Sequence, residues 1–453
     1  MNSKAVKPGI TSLGLTFASV IFSAMSLPAT ASPTIHSATI QASDNNEQVI
    51  VIQGLGFGDK KQAAPVLMDF VDASYEGGLV ENSYQLLTDG QKVPVASKGE
   101  DSIWATAASG AWGSFPPEVT SAYTPRHEDS TEQYLLVGHT SFLGNPVAYG
   151  GESGWDTPTD NKQLYVSWWF KPAYAPQRYW RVYPINIRGS FSKGETLVIG
   201  EGIIAEYIGI DEEGMINLVF AEKPPKAEML AGKIIKGQTS GASSTFPKDH
   251  ISVSSYGYEA PGSQKYLRVW EDPQGKEGIR FSWTQMHQTI GSVVNWAEAP
   301  VVGGSWNHLE FEMDTDEGLI RLKVNSQAFT EFKFDPSLDA SGRWSPTAAL
   351  IGLDGKVGKL QVSQIDDIYF DSTLQRAVIG NAPSLEKVTH YELQMPKKWT
   401  DREITLNARK GSLKDIESAY LYIFNSEGIA NTQGYPICSD CKLPPEKIGL
   451  SVE

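Results

Sequence analysis

The sequence predicts an all-β protein built of antiparallel sandwiches or jelly rolls, and three observations carry that prediction. Nearly every legible segment alternates apolar and polar residues with period 2, and no long stretch holds a 3.6-residue period. Glycine (42) and proline (26) punctuate the chain at short intervals, marking turns between short strands. Aromatic residues make up 10% and charged residues only 20% of the 453, the balance of packed β structure rather than disorder. A chain of this length exceeds what one hydrophobic core usually serves, so more than one domain is expected.

The strands can be read in order. Gln48 to Gln53 alternates and runs into the turn Gly54-Leu55-Gly56-Phe57-Gly58. Gln163 to Lys171 puts Leu164, Val166, Trp168 and Phe170 on one face and Tyr165, Ser167 and Trp169 on the other. His308 to Asp314 turns Leu309, Phe311 and Met313 inward and His308, Glu310 and Glu312 outward. The run Asp314 to Gly318 reverses the chain, and Ile320, Leu322 and Val324 return as the second strand of a hairpin. Ile365 to Phe370 and Ala419 to Phe424 are further short strands.

The first segment reads as a secretory signal. Lys4 and Lys7 precede an apolar run from Ile10 to Leu27, and Ala29-Thr30-Ala31 offers an A-x-A cleavage site before Ser32. The alternative is a membrane anchor, but the run is short for a bilayer and is broken by Ser and Thr. Export to the periplasm or cell surface is therefore expected. Lys+Arg number 38 against 53 Asp+Glu, a net charge of −15, and cleavage of residues 1–31 would remove two lysines and no acid. This balance argues against nucleic acid, whose binding rests on clustered Lys and Arg, and disfavours acidic polysaccharides.

Two resemblances sharpen the architecture. Pro33-Thr34-Ile35 through the Gly54–Gly58 turn resembles the opening of an IPT/TIG immunoglobulin-like domain. The remainder of such a domain resembles Trp399-Thr400-Asp401-Arg402-Glu403-Ile404-Thr405-Leu406 and the stretch from Ala419 to Gly428. The region between is similar to concanavalin A-like lectin/glucanase jelly rolls, on Leu164 to Lys171, Ser305 to Phe311 and Ile365-Asp366-Asp367-Ile368-Tyr369-Phe370. Eleven of the twelve tryptophans fall between Trp104 and Trp344, marking the same region by composition. The resemblances imply a signal at 1–31, a TIG-like sandwich split between 32–70 and 381–438, a jelly roll at 71–380, and a tail at 439–453. A string of tandem domains is the alternative. Residues 189–247 form a small β insertion, in which Lys193 to Gly200 is echoed by Ala231 to Gln238 and Gly237-Gln238-Thr239-Ser240-Gly241-Ala242 resembles an element of small β modules in phage and surface proteins.

Glu312, Asp314 and Glu317 match the E-x-D-x-x-E spacing of jelly-roll glycoside hydrolases, which need two carboxylates flanking a glycosidic bond. Here the acids run into a turn and are expected to be solvated. Gln285-Met286-His287 resembles the Q-I-H element of jelly-roll alginate lyases, in which Gln neutralises the uronate carboxylate and His is the base. It lies next to Arg280, Phe281, Ser282 and Trp283, expected on the same strand, but the family's R-x-E-L-R and Y-x-K-x-G-x-Y-x-Q elements are absent. Asp366, Asp367 and Asp371 are candidates for calcium, a hard cation that takes oxygen ligands. The seven histidines are scattered, so no zinc constellation or other cofactor site emerges. Cys438 and Cys441 suit a small-loop disulfide in an oxidising compartment. Aromatic platforms that stack on sugars are the leading binding hypothesis, with Trp169, Arg268, Trp270, Arg280 and Trp283 as its residues. The function expected is glycan binding without catalysis. A polysaccharide-cleaving enzyme and a structural or adhesive surface component are the alternatives.

Overall fold

The computed structural model describes residues 32–42, 48–71, 87–93, 103–104, 117–137, 141–149, 159–248, 252–254, 267–270, 277–281, 285–288, 293–295, 300–339, 342, 344–348, 350–353 and 359–437. From 252 to 295 the description is of backbone register. Throughout, the named strand pairs are antiparallel, as the alternating sequence predicts. The predicted hairpin is formed by Asn307–Asp314 and Leu319–Val324. No helix among the described residues is long and apolar enough to cross a membrane.

The first and the last described strands meet in one sandwich. Thr34–Ala42 and Gln48–Leu55 share a four-stranded sheet with Glu403–Asn407 and Met395–Trp399, Ile50 lying opposite Leu406 and Ile52 opposite Ile404. The glycine-rich turn after Gln48–Leu55 fastens this junction. The Gly58 N–H donates to Asp401 Oδ1 at 3.0 Å and the Gly58 carbonyl accepts from Trp399 Nε1 at 2.9 Å. Gly56 and Gly58 have φ of 75° and 70°, where a side chain would be strained, and a Cβ on Gly54 would sit 2.1 Å from the Thr34 carbonyl. The second sheet of this outer sandwich runs Tyr391–Leu393, Arg376–Gly380, Tyr420–Phe424, Tyr435–Pro436. Ala377, Ile379, Leu421 and Ile423 join Ile50, Ile52, Ile404 and Leu406 in its core.

The inner sandwich sets an eight-stranded sheet against a five-stranded one. The larger carries Leu319–Val324, Asn307–Asp314, Gln163–Pro172 and Val362–Asp371 side by side at its centre. Leu164, Val166, Trp168, Phe170, Leu309, Phe311 and Met313 fill the core, on the face that alternation assigns. The smaller runs Val293–Asn295, Gln285–Gln288, Glu277–Phe281, Leu267–Trp270, Ser345–Ala348, and Ala348 belongs to the same buried core.

The opposite face of the large sheet is covered by protein at its centre. Tyr165 and Tyr369 form a third apolar cluster with Val378, Tyr391, Tyr422 and Phe424 of the outer sandwich. All eight residues of Asn307–Asp314 and all five of Arg376–Gly380 are buried as a result. A sheet covered on both sides must bury its polar residues as well, and this determines the character of that face.

A separate eight-stranded sheet runs from Tyr179–Val182 to Ser252–Ser254, wider than the 189–247 stretch that composition marks, because Trp180 and Val182 supply part of its core. The two echoed segments are its neighbouring strands Thr196–Ile199 and Ile234–Gly237. The Gly237–Ala242 element captures a carboxylate. Glu195 accepts from the backbone N–H of Thr239 (3.1 Å) and Ser240 (3.0 Å), from Ser240 Oγ (2.8 Å) and from the Ser192 N–H (2.5 Å). Burial pushes this carboxyl up, but the hydrogen bonds outweigh it and hold its pKa below the usual range. Glu195→Ala is expected to destabilise this sheet by about 2 kcal/mol, the loss of hydrogen bonds to a charged acceptor. Hydrogen exchange of the amides in 192–242 checks this, and unchanged protection would contradict it.

Candidate functional site

The five-stranded sheet brings together residues that lie far apart in sequence or on different strands. Arg268 on Leu267–Trp270 lies directly opposite Arg280 on Glu277–Phe281, and Arg280 lies directly opposite His287 on Gln285–Gln288. Thr347 continues the row beyond Arg268. Register fixes the face. Leu267 pairs with Ala348, Phe281 with Leu267 and Met286 with Phe281, and Ala348 is in the core. Alternation therefore places Arg268, Arg280 and His287 in one line across three strands, on the face opposite the positions of Leu267, Phe281 and Met286. Gln285, two residues before His287, shares that face opposite Asn295. Adjacent strands stand about 4.8 Å apart, so the row from Arg268 to His287 spans about 10 Å. Two arginines, a histidine and a glutamine thus occupy neighbouring register positions. Arg280 stands across from His287 rather than beside it on one strand, contrary to the sequence expectation. Trp270 pairs with Glu277 and Ser345 past an irregularity between Val269 and Trp270. Trp283, Cys438 and Cys441 lie outside the described residues.

Trp169 is not a platform. It is only 7% exposed, with the Arg126 guanidinium 4.5 Å from its ring, His308 stacked on it at 4.8 Å and His390 at 5.1 Å. Its strand turns it toward the outer sandwich, so protein groups take the place a sugar would need. The expectation that Glu312 and Asp314 are solvated is also overturned. Glu312 is buried and accepts from Arg376 (2.5 Å), Lys323 (2.9 Å) and Arg321 (3.2 Å). Burial would raise its pKa, but Lys323 and Arg376 together hold it well below the carboxylate range. Asp314 accepts from the Asp316 and Glu317 N–H groups at 3.0 Å and from Gln163 Nε2 at 2.6 Å. A carboxylate pinned by three cations cannot take up a proton near neutral pH, and its neighbour serves the turn. Neither is placed for glycosidic chemistry.

The three calcium candidates are likewise engaged. Asp367 binds Arg126 Nε (2.6 Å), Arg409 (3.0 Å) and His127 (3.2 Å), and these partners overcome burial to hold its pKa at about 2. Asp371 accepts from Lys60 at 2.5 Å, and Asp366 from Ser130 Oγ at 3.0 Å and the Asp367 N–H at 2.8 Å. Among the described residues no group of three His, Cys, Asp or Glu side chains is arranged to hold a metal.

The residues that sequence reasoning missed are the ones that clamp the sandwiches. Arg126 grips Glu392 through both terminal nitrogens (2.8 and 2.9 Å), and burial of that carboxyl is outweighed by Arg126 and His390, leaving its pKa far below normal. Glu310 accepts from the Tyr165 hydroxyl at 2.8 Å and from that of Tyr391. The available signal was a charge inside an apolar strand, Arg376 ahead of Ala377-Val378-Ile379-Gly380.

No protein-family model matches the chain, and no curated protein does. Solved structures give faint likenesses. The binding domain of botulinum neurotoxin serotype G is 8% identical with a TM-score of 0.22, covering 70% of this chain and 69% of that one. The alginate lyase Aly36B is 8% identical with a TM-score of 0.22, covering 63% of this chain and 96% of that one. A botulinum neurotoxin type C structure, whose cell entry is described as dependent on two ganglioside molecules, is 9% identical with a TM-score of 0.19, covering 57% and 43%. Likeness at this level carries no inference about ligand.

Proposed function

We infer that this is an exported glycan-binding protein whose five-stranded sheet takes a carboxylate-bearing polysaccharide. The observation that supports the reading is the register of Arg268, Arg280 and His287 across three adjacent strands, with Gln285 on the same face. The acidic balance of the whole chain does not oppose it. Distributed surface charge is screened over about 8 Å at physiological ionic strength, whereas paired arginines act on a carboxylate at contact. The test is calorimetric titration of the purified chain with short oligogalacturonates and alginate oligomers. Arg268→Ala with Arg280→Ala is expected to weaken binding at least about tenfold, the loss of charge-assisted hydrogen bonds. Affinity that the double variant leaves intact would sink the proposal.

A second reading has its own support, because Gln285 and His287 sit on one face with His287 opposite Arg280. In β-elimination His287 would remove the proton α to the uronate carboxylate. The glycosidic C–O bond would then break, leaving an unsaturated sugar on one fragment, and the departing oxygen would become a hydroxyl on taking a proton from solvent, to which His287 returns the one it removed. Absorbance of that unsaturated product, abolished by His287→Ala, separates a lyase from a binder.

A further inference from the structure

We propose that the cleft between the small eight-stranded sheet and the inner sandwich is a second carbohydrate site, for a neutral sugar, independent of the arginine row. Its volume is about 690 Å³, within the range of small-ligand sites, and Tyr174, Gln177, Arg178, Ile204, Glu206 and Val302 line it.

The cleft is a built feature. The Tyr174 backbone is held by both ends of the Gln361 amide, at 3.0 and 2.8 Å, and its ring stacks on Tyr179 at 5.6 Å. The facing loop lies hard against this segment, since a Cβ on Gly303 would come within 2.5 Å of the Ala175 nitrogen and 2.9 Å of the Tyr174 Cα. Gln177 Nε2 donates to the Val301 carbonyl at 3.0 Å, fixing the amide across the junction. Its other end, Oε1, is buried with no donor among the described residues.

The groups present select the ligand class. Ile204 and Val302 are 40% and 55% exposed on the walls, and Tyr174 is half-buried, so the site offers apolar and aromatic surface. Glu206 is an exposed carboxylate with no ion-pair partner among the described residues. Arg178 uses one terminal nitrogen on the Ala221 carbonyl at 2.8 Å and keeps its others as donors. A carboxylate acceptor beside a ring and aliphatic walls suits a sugar, which presents hydroxyl donors and C–H faces together. The Glu206 charge disfavours an acidic sugar. A peptide strand is disfavoured because Thr196–Ile199, Ile203–Ile210 and Ile216–Phe220 are interior strands with paired backbones.

The test titrates the purified chain with cellobiose, maltose and chitobiose, by calorimetry and saturation-transfer NMR. At least one should bind with a dissociation constant of about a millimolar or tighter. Glu206→Gln should weaken it about fivefold, as expected for one charge-assisted hydrogen bond. Val302→Trp, a change at an exposed position that fills the cleft, should abolish it. Arg268→Ala should leave it unchanged, which separates this site from the sheet. Failure of all three sugars to bind, or binding that Glu206→Gln and Val302→Trp leave intact, overturns the proposal.

Discussion

Arg126→Ala is expected to lower the free energy of unfolding by about 3–5 kcal/mol, the cost of breaking a buried ion pair. Arg126 lies in the loop 121–130 of the inner sandwich, yet it grips Glu392 on Tyr391–Leu393 of the outer one and also Asp367 on Val362–Asp371. Its guanidinium covers the Trp169 ring at 4.5 Å. Removing it leaves two buried carboxylates short of their main counter-charge, and water cannot replace the lost partner without opening the interface. Arg409, His127 and His390 remain nearby but reach one carboxylate each. Arg126→Lys should recover only part of the loss, because an ammonium cannot make the two-pronged contact with Glu392. Chemical denaturation of the two variants checks this, and a change under about 1 kcal/mol for Arg126→Ala would show that the clamp contributes little.

Acid should weaken the same interface through His308. Burial lowers its pKa from 6.5 to about 4, despite the attraction of Glu310, whose carboxylate lies 3.9 Å from Nδ1. At neutral pH the pair is therefore not an ion pair. His390 and Arg126 face the ring and oppose its protonation, while Glu310 and Glu392 favour it. A histidine depressed in this way is neutral in both folded and unfolded chains above pH 6.5. Below that the unfolded chain gains a proton that the folded chain refuses until about 4, so stability falls across that window, by about 3 kcal/mol in all. Asp367 has the opposite origin and a lower window. Its stabilisation is full above 3.8 and is lost as pH falls toward 2. His308→Phe keeps a ring on Trp169 and removes the titration. Its stability should decline less between pH 6.5 and 4.5 than that of the unaltered chain, and equal slopes would falsify the assignment.

Much of this architecture was legible in the residues. The alternation of Asn307–Asp314 sorted Leu309, Phe311 and Met313 from His308, Glu310 and Glu312, and they do occupy opposite faces. What alternation does not encode is the layer above a polar face. It distinguishes two faces without saying whether water or protein lies over the second, so Glu312 and Trp169 read as exposed when Arg376 and Arg126 cover them. Tryptophan composition has the same blindness, since a ring that stacks on a sugar and one that stacks on His308 need the same residue. The Gly237–Ala242 element was visible as a motif, but its purpose lay in Glu195, more than forty residues earlier. The arginine row escaped for a different reason. Arg268, Arg280 and His287 could be singled out by type, but their alignment depends on register, which the intervening turns set.

Hydrogen exchange of the purified chain with and without a short oligogalacturonate or alginate oligomer reports where a glycan sits. Added protection is expected in Leu267–Trp270, Glu277–Phe281 and Gln285–Gln288, with Asn307–Asp314 and Val362–Asp371 unchanged beneath the outer sandwich. Protection that appears in those two covered strands, and spares the arginine-bearing ones, would contradict it.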